Sequence, residues 1–374
     1  MKNIHWLGSG LSSIPGIRRL ASNNHNLTVW NRTFSKAQKS IDHVKSDKVT
    51  AKSFNINELK ETVEEGDIIV SQLTASMHLD IAKICLEKKC HFVTTSYLAP
   101  DIKKLDEQVV AQNLTFINEV GLDPGIDHFF SHLLVQELKS LNLKNLSVSY
   151  KSYCGGIPAV PNDFKYKFSW SPVGVIKALN SPAKFTQDFE EKLVPQPYKV
   201  VKNHLINNES FEAYPNRDSL PYIEEYLFSP EWKIKEFVRG TLRLNGWTLA
   251  WEDIFNMLEK QEANIEEQIQ QKSNELWKNY RYDKNEEDRV VLWVNLEAEQ
   301  QGKKVFSSTY QLDEKGSGEN TAMAKLVSIT LSAAVDLMLQ NKIQPGVQAA
   351  PSNKKVIDYF FKVLSDYAIK IDHH

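Results

Sequence analysis

The sequence predicts an α/β protein: a doubly wound parallel sheet, followed by a mixed α/β region with a small helical insertion. Three observations carry this. Strand and helix patterns alternate from residue 3 to about residue 118. A Gly8-Ser9-Gly10 turn separates the first strand from the first helix. Beyond about residue 140 the texture changes, and long strands are joined by turn signals such as Gln301-Gly302.

The elements follow in order. Asn3 to Leu7 reads as a short apolar strand and Ser12 to Ser22 as a helix. Leu27 to Trp30 is the second strand, ended by Asn31-Arg32-Thr33, and a helix runs from about Ser35 to Ile41. Asp67 to Ser71 is a buried-strand run and His78 to Lys88 a helix. His91 to Thr95, a helix from Asp101 to Gln112, and the strand Leu114 to Asn118 close the series. Such alternation implies right-handed βαβ units and a parallel sheet. Gly125 to Leu138 reads as a helix leading into the second region. There, Leu146–Tyr153, Arg239–Ala250, Val290–Ala298 and Lys304–Leu312 read as antiparallel strands. Ile254 to Tyr280 is a highly charged helix or helical hairpin with a solvated face. Ala322–Leu339 is an apolar helix and Val356–Leu364 a C-terminal one.

Bulk properties narrow the function. With 374 residues the chain is too long for one ordinary core. A net charge of −2, with cations spread evenly, points to neither nucleic acid nor an anionic membrane as partner. No apolar run approaches the ~20 residues of a membrane span. Cys85, Cys90 and Cys154 are scattered and odd in number, which suggests the reducing cytoplasm rather than a disulfide framework.

The chemistry concentrates in four places. Gly8-Ser9-Gly10-Leu11-Ser12-Ser13 is a GxGxxS sequence between strand and helix. Its first glycine allows the turn, its second lets the backbone approach a pyrophosphate, and Ser13 stands as the third small residue. This is the placement of a Rossmann-type dinucleotide site; a bare tight turn is the plainer account. At the end of the second strand, NAD would call for an acid. The chain offers Asn31-Arg32-Thr33 with Lys36 close by, which favours the 2′-phosphate of NADP(H). In Gly121-Leu122-Asp123-Pro124-Gly125-Ile126-Asp127-His128 the backbone turns at the carboxyl end of the sheet, with Asp123 as ligand contact or helix cap. Its acids and histidine lack a metal-ligand spacing, and no metal is expected. Cys154, before Gly155-Gly156, has no sequence-tied base, which argues against a thiol nucleophile, and reads first as a small buried residue. Arg217, Arg239 and Arg243, in the company of Gly, Asn and Thr, suit capture of carboxylates on a polyanionic small molecule.

With these in line, the chain resembles the saccharopine dehydrogenase family, and most of all its NADP-dependent, glutamate-forming branch. The resemblance runs through Arg32-Thr33, Val93 to Pro100, Asn118 to His128, Ser152-Tyr153-Cys154-Gly155-Gly156-Ile157-Pro158-Ala159, Tyr166 to Pro172, Tyr214 to Ser219, and Arg239-Gly240-Thr241-Leu242-Arg243. It implies a homodimer and one reaction. Glutamate and 2-aminoadipate 6-semialdehyde condense to an imine, which NADPH reduces to saccharopine. It also implies cofactor contacts at Gly8, Gly10, Leu11, Ser12, Asn31, Arg32, Thr33, Ser76, Met77 and Ser96. Substrate contacts are implied at Tyr97, Leu98, Asp123, Cys154, Arg217, Arg239 and Thr241, with Asp123, Cys154 and Tyr97 as candidates for proton transfer. The expected domains are 1–122 for NADP(H), with 350–374 packed back on it, and 123–349 for substrate and dimerisation, with a helical insertion at about 252–285. Where the family has Pro-Tyr-Thr-Phe-His, this chain has Thr74-Ala75-Ser76-Met77-His78, so cofactor packing there is expected to differ. A carboxyspermidine or carboxynorspermidine dehydrogenase, and a cofactor-binding relative without turnover, remain as alternatives.

Overall fold

The computed structural model describes residues 2–260 and 263–374. In chain order its first strands are β1 (Ile4–Leu7), β2 (Leu27–Asn31), β3 (Val49–Ser53), β4 (Ile68–Ser71), β5 (His91–Thr94) and β6 (Thr115–Ile117). Then come β7 (Leu146–Pro158), β8 (Ala183–Gln187), β9 (Glu190–Val194), β10 (Lys202–Ile206), β11 (Glu209–Pro215) and β12 (Lys233–Leu244). The last four are β13 (Glu287–Gln300), β14 (Lys303–Ser317), β15 (Gly346–Gln348) and β16 (Asp372–His373).

The chain divides into two compact units. The first comprises Met1–Phe129 and Met323–Ala368, the second Phe130–Ala322 and Ile369–His374. This division differs from the expected 1–122 and 123–349 at both ends. The helix Ala322–Leu339 and β15 belong almost wholly to the first unit, and the last six residues to the second.

The first unit is a parallel sheet in the order β15-β6-β5-β4-β1-β2-β3. From β3 to β6 this is the doubly wound order, extended at the far edge by β15, which pairs in parallel with β6. β1 and β4 are buried at every position, as expected for strands covered on both faces. β3, with the sequence VTAKS, is an edge strand too polar to read as one. The apolar helix Ala322–Leu339 explains why the C-terminal segment joins this unit, because the helix Ile14–Ser22 packs directly on it. A Cβ on Gly16 would lie 2.2 Å from the Ser328 carbonyl oxygen, so only glycine permits the approach. The Gly16 N–H donates to Ser328 Oγ at 2.8 Å, and Arg19 pairs with Asp336 in the same interface.

The second unit is a mixed sheet in the order β10-β11-β12-β7-β13-β14-β16, with β8 also on β12 and β9 on β8. Its pairs are antiparallel except β7 with β12. The strand expected over Arg239–Ala250 starts earlier, at Lys233, and stops at Leu244; Gly246, at φ +86°, turns the chain into the short helix Trp247–Ala250. The charged stretch is two helices, Glu252–Glu259 and Ile265–Tyr280. Residues 261 and 262 of that expected helix lie outside the described residues. Both helices bury one apolar stripe, with Ile254, Leu258, Ile269 and Leu276 packed against Tyr166, Phe168, Trp247 and Trp251.

Histidine burial gives this fold a pH dependence. Burial holds the imidazoles of His78, His91, His132 and His204 down at about 4, with Lys2 and Lys151 adding to the effect at His91 and His204. The unfolded chain protonates these rings near 6.5, so it takes up protons before the folded chain does. Their contribution to stability is whole above that value and is lost as pH falls toward 4. His132 is 2% exposed, and neither ring nitrogen has a hydrogen-bond partner among the described residues. The thermal midpoint is expected to fall steadily from pH 6.5 to pH 4, and His132→Leu is expected to make that fall shallower. A midpoint flat across this range in the wild type would contradict the assignment.

Candidate functional site

The Gly-rich turn lies at the carboxyl end of β1, in the middle of the parallel sheet. Gly8 leaves the strand at φ +96°, and a Cβ there would stand 2.8 Å from the Gln72 carbonyl oxygen at the end of β4. Gly8 is therefore required by the protein's own backbone. Gly10 differs: a Cβ on it would meet nothing within 4 Å. The open space over Gly10, just before the N-terminus of the helix Ile14–Ser22, is where a pyrophosphate fits, with no side chain in its way. Leu11 is exposed and Ser12 half-buried beside it. Ser13 caps no N–H with its side chain; its hydroxyl donates to Gln72 Oε1 and ties the turn to β4.

At the end of β2, Asn31 Nδ2 donates to Ser9 Oγ at 2.9 Å, and Asn31 Oδ1 accepts from the Thr33 N–H at 2.9 Å. Asn31 thus locks the second strand's exit to the Gly-rich turn. Arg32 and Thr33 are exposed there, and Arg32 has no ion-pair partner among the described residues. A free guanidinium at this edge suits a 2′-phosphate, and no acid stands in its place.

Beyond β4, Ser76 is exposed and Met77 half-buried at the start of the helix Ala75–Lys88. His78 follows, 3% exposed, and was not among the residues expected to matter. Its Nδ1 lies 3.0 Å from Ser71 Oγ, and its Nε2 lies 2.8 Å from Ser96 Oγ. The signal sequence reading could have used is that His78 keeps the family's residue in Thr74-Ala75-Ser76-Met77-His78.

Past β5 the expected substrate residues of this unit gather. The Tyr97 hydroxyl donates to Asp123 Oδ1 at 3.0 Å, and Asp123 is exposed. The Leu98 N–H donates to Glu119 Oε1 at 2.8 Å, and its side chain packs on the core beneath. The turn Gly121–Gly125 closes on itself: a Cβ on Gly125, at φ +150°, would stand 2.2 Å from the Gly121 carbonyl oxygen. Asp127 Oδ1 accepts from the Gly125 N–H at 2.7 Å, so Asp127 braces the turn. His128 Nε2 lies 3.4 Å from Glu119 Oε2, both fully or nearly buried.

In the second unit, Cys154 and Thr241 are register partners across the parallel pair β7/β12. Arg239, two residues before Thr241, shares their sheet face. Arg239 is 7% exposed; its guanidinium lies 4.1 Å from the Tyr222 ring centroid, and its backbone N–H donates to Ser219 Oγ at 3.0 Å. Arg217, at φ +59°, sits in the loop after β11, where its carbonyl accepts from the Lys184 N–H and the Asn216 N–H bonds the Arg239 carbonyl. Arg217 and Arg239 are therefore held by one strand end. Arg243 does not belong with them. It is 5% exposed and boxed by the rings of Tyr166, Tyr214 and Trp247 at 4.9 to 5.5 Å, with Nη1 donating to the Leu242 carbonyl. That cation serves packing rather than ligand capture. A cleft of about 390 Å³ lined by Tyr153, Gln187, Glu236 and Val238 opens on the other face of β12, away from Arg239 and Thr241.

Comparison with known proteins identifies the family of both regions. Residues 4–117 match the saccharopine dehydrogenase NADP binding domain, and residues 121–369 match the saccharopine dehydrogenase C-terminal domain. The chain is 29% identical to saccharopine dehydrogenase [NADP(+), L-glutamate-forming] of Pyricularia oryzae, over 98% of this chain and 97% of that protein. Its similarity to mouse mitochondrial alpha-aminoadipic semialdehyde synthase, at 33% identity, covers 67% of this chain but only 27% of that longer protein. Apo saccharopine dehydrogenase (L-Glu forming) of Saccharomyces cerevisiae superposes with a TM-score of 0.84 at 26% identity, over 100% of this chain and 99% of that one. A homospermidine synthase from Legionella pneumophila, at 13% identity and TM-score 0.66 over 100% and 91%, shares the fold alone. With both of its regions matched, one after the other and over nearly their whole length, the chain belongs to the saccharopine dehydrogenase family.

Proposed function

We propose that the chain is an NADP(H)-dependent oxidoreductase that interconverts saccharopine with L-glutamate and 2-aminoadipate 6-semialdehyde. The observation that carries this reading is the paired chemistry of its sites. A free arginine, Arg32, stands where an NAD site presents an acid, and a pair of arginines, Arg217 and Arg239, is built into one strand end. Near-full-length similarity to glutamate-forming relatives supports it.

Gly8, Gly10, Leu11 and Ser12 hold the pyrophosphate; Asn31, Arg32 and Thr33 hold the phosphorylated adenosine; Ser76, Met77 and Ser96 border the other nucleoside. When bound, the nicotinamide exchanges a hydride with the carbon of the substrate's C–N bond. The chain's own task is then positioning. Arg217 and Arg239 clamp carboxylates, which a guanidinium grips bidentately, with Thr241 as a further substrate contact of the second unit and Leu98 as one of the first. Asp123, oriented by the Tyr97 hydroxyl, pairs with an ammonium or moves a proton as water adds to the imine and the C–N bond breaks. Cys154, beside Thr241, offers a thiol that can orient a water within the second unit. We also place the protein in the cytoplasm as a homodimer joined through its second unit. Three free and buried thiols suit a reducing compartment, and the family resemblance supports the dimer, which sedimentation would read.

The test is absorbance at the NADPH band, with saccharopine as reductant at alkaline pH. A rise with NADP and little with NAD is expected. No rise with saccharopine, from protein shown to bind NADPH, would sink the substrate assignment. The clamp has its own test. Arg217→Ala is expected to raise the KM for saccharopine roughly tenfold or more, from the loss of a charged hydrogen bond, and leave that for NADP within about twofold. Arg239→Lys keeps the charge but not the fork, and is expected to behave alike. Equal rises in both constants would remove these arginines from the clamp.

A further inference from the structure

The sheet order fixes which half of the cofactor lies where. With the pyrophosphate over the end of β1 and the phosphorylated adenosine toward β2, the remaining nucleoside extends over β4 and β5. Ser96 follows β5 on that side and is half-buried. Around it lies a closed set of polar groups on buried side chains: Ser71, His78 and Thr94 are each no more than 3% exposed. The hydrogens of this set can be assigned.

The Thr94 hydroxyl lies 2.8 Å from the Ser71 carbonyl oxygen. A carbonyl only accepts, so Thr94 spends its one proton there. Thr94 Oγ1 also accepts from the Ser96 N–H at 3.3 Å. His78 Nε2 stands 3.3 Å from the same oxygen. An unprotonated Nε2 would set lone pair against lone pair, so Nε2 carries the hydrogen. Nδ1 is then an acceptor, filled by the Ser71 hydroxyl at 3.0 Å. Burial holds this ring neutral, with its ionisation lowered to about 4. The Nε2–H is aimed at Ser96 Oγ, 2.8 Å away, and occupies that oxygen as an acceptor. The Ser96 proton then has no acceptor among the described residues and is available to a ligand.

We propose that His78 is a positioning residue that makes the Ser96 hydroxyl a hydrogen-bond donor toward an oxygen of the nicotinamide nucleoside. The proposal rests on the cofactor reading given above and adds to it a residue and a direction of donation. Without His78, Ser96 is free to rotate and donate inward.

The test is a double-mutant cycle on NADPH binding, read by calorimetry, with 2′,5′-ADP as a probe that lacks the nicotinamide nucleoside. Ser96→Ala and His78→Leu are each expected to weaken NADPH binding roughly tenfold, the worth of one hydrogen bond, and to leave 2′,5′-ADP binding within about twofold of wild type. The double variant is expected to lose no more than either single one. His78→Gln, whose side-chain N–H can take the place of Nε2–H, is expected to recover binding to within about threefold of wild type. Effects that multiply to roughly a hundredfold in the double variant would overturn the proposal. So would Ser96→Ala binding NADPH as tightly as wild type, an outcome that spares the cofactor reading. If His78→Leu loses 2′,5′-ADP as well, the loss is one of folding, and the Ser96→Ala and His78→Gln results decide. Wild-type protein that binds neither probe would overturn the cofactor reading along with the proposal.

Discussion

The cofactor-binding unit depends on how the chain leaves β1. Gly8 must turn at a positive φ with the Gln72 carbonyl filling the space where a side chain would go. The helix that follows must lie against the helix Ala322–Leu339 closely enough that Gly16 meets the Ser328 backbone. These two contacts leave the start of the helix Ile14–Ser22 little freedom. They set it at the carboxyl end of the sheet, where its N–H groups and dipole favour an anion. The Ser13–Gln72 and Asn31–Ser9 hydrogen bonds then join the ends of β4 and β2 to the same turn. The edge is rigid because three strand ends share one loop.

The second unit uses the same economy on a different frame. Its one parallel pair, β7 with β12, brings Cys154, Thr241 and Arg239 to one face in register. Arg239 is buried, and its guanidinium stacks on the Tyr222 ring, which holds the cation in place. Arg243, four residues on, lies in an aromatic box instead. Two arginines of one strand thus sit in different environments, and only their surroundings tell them apart.

Those surroundings explain what sequence reading could see. The apolar runs of β1, β2, β4 and β5, bounded by Gly, Ser and Thr, were legible because buried parallel strands are uniformly apolar. β3, β9 and β10 were not, since they are edge-like, charged and largely exposed. β15 has three residues, and its partner β6 lies far back in the chain, so no local pattern could reveal it. The break at Gly246 was hidden by apolar residues that suit a strand as well as a helix. Arg32 and the Gly-rich turn were readable because their chemistry is local. His78 and the box around Arg243 were not, because Ser71 and Ser96 on one side and Tyr166 and Trp247 on the other come from separate stretches of sequence.

The central claim is that the edge of β2 selects NADP(H) through Arg32. The most direct measurement compares dissociation constants for NADPH and NADH in the wild type and in Arg32→Ala. Loss of a charge-assisted contact to the 2′-phosphate should weaken NADPH roughly ten- to hundredfold and leave NADH nearly unchanged. Equal weakening of both, or none of either, would contradict the account.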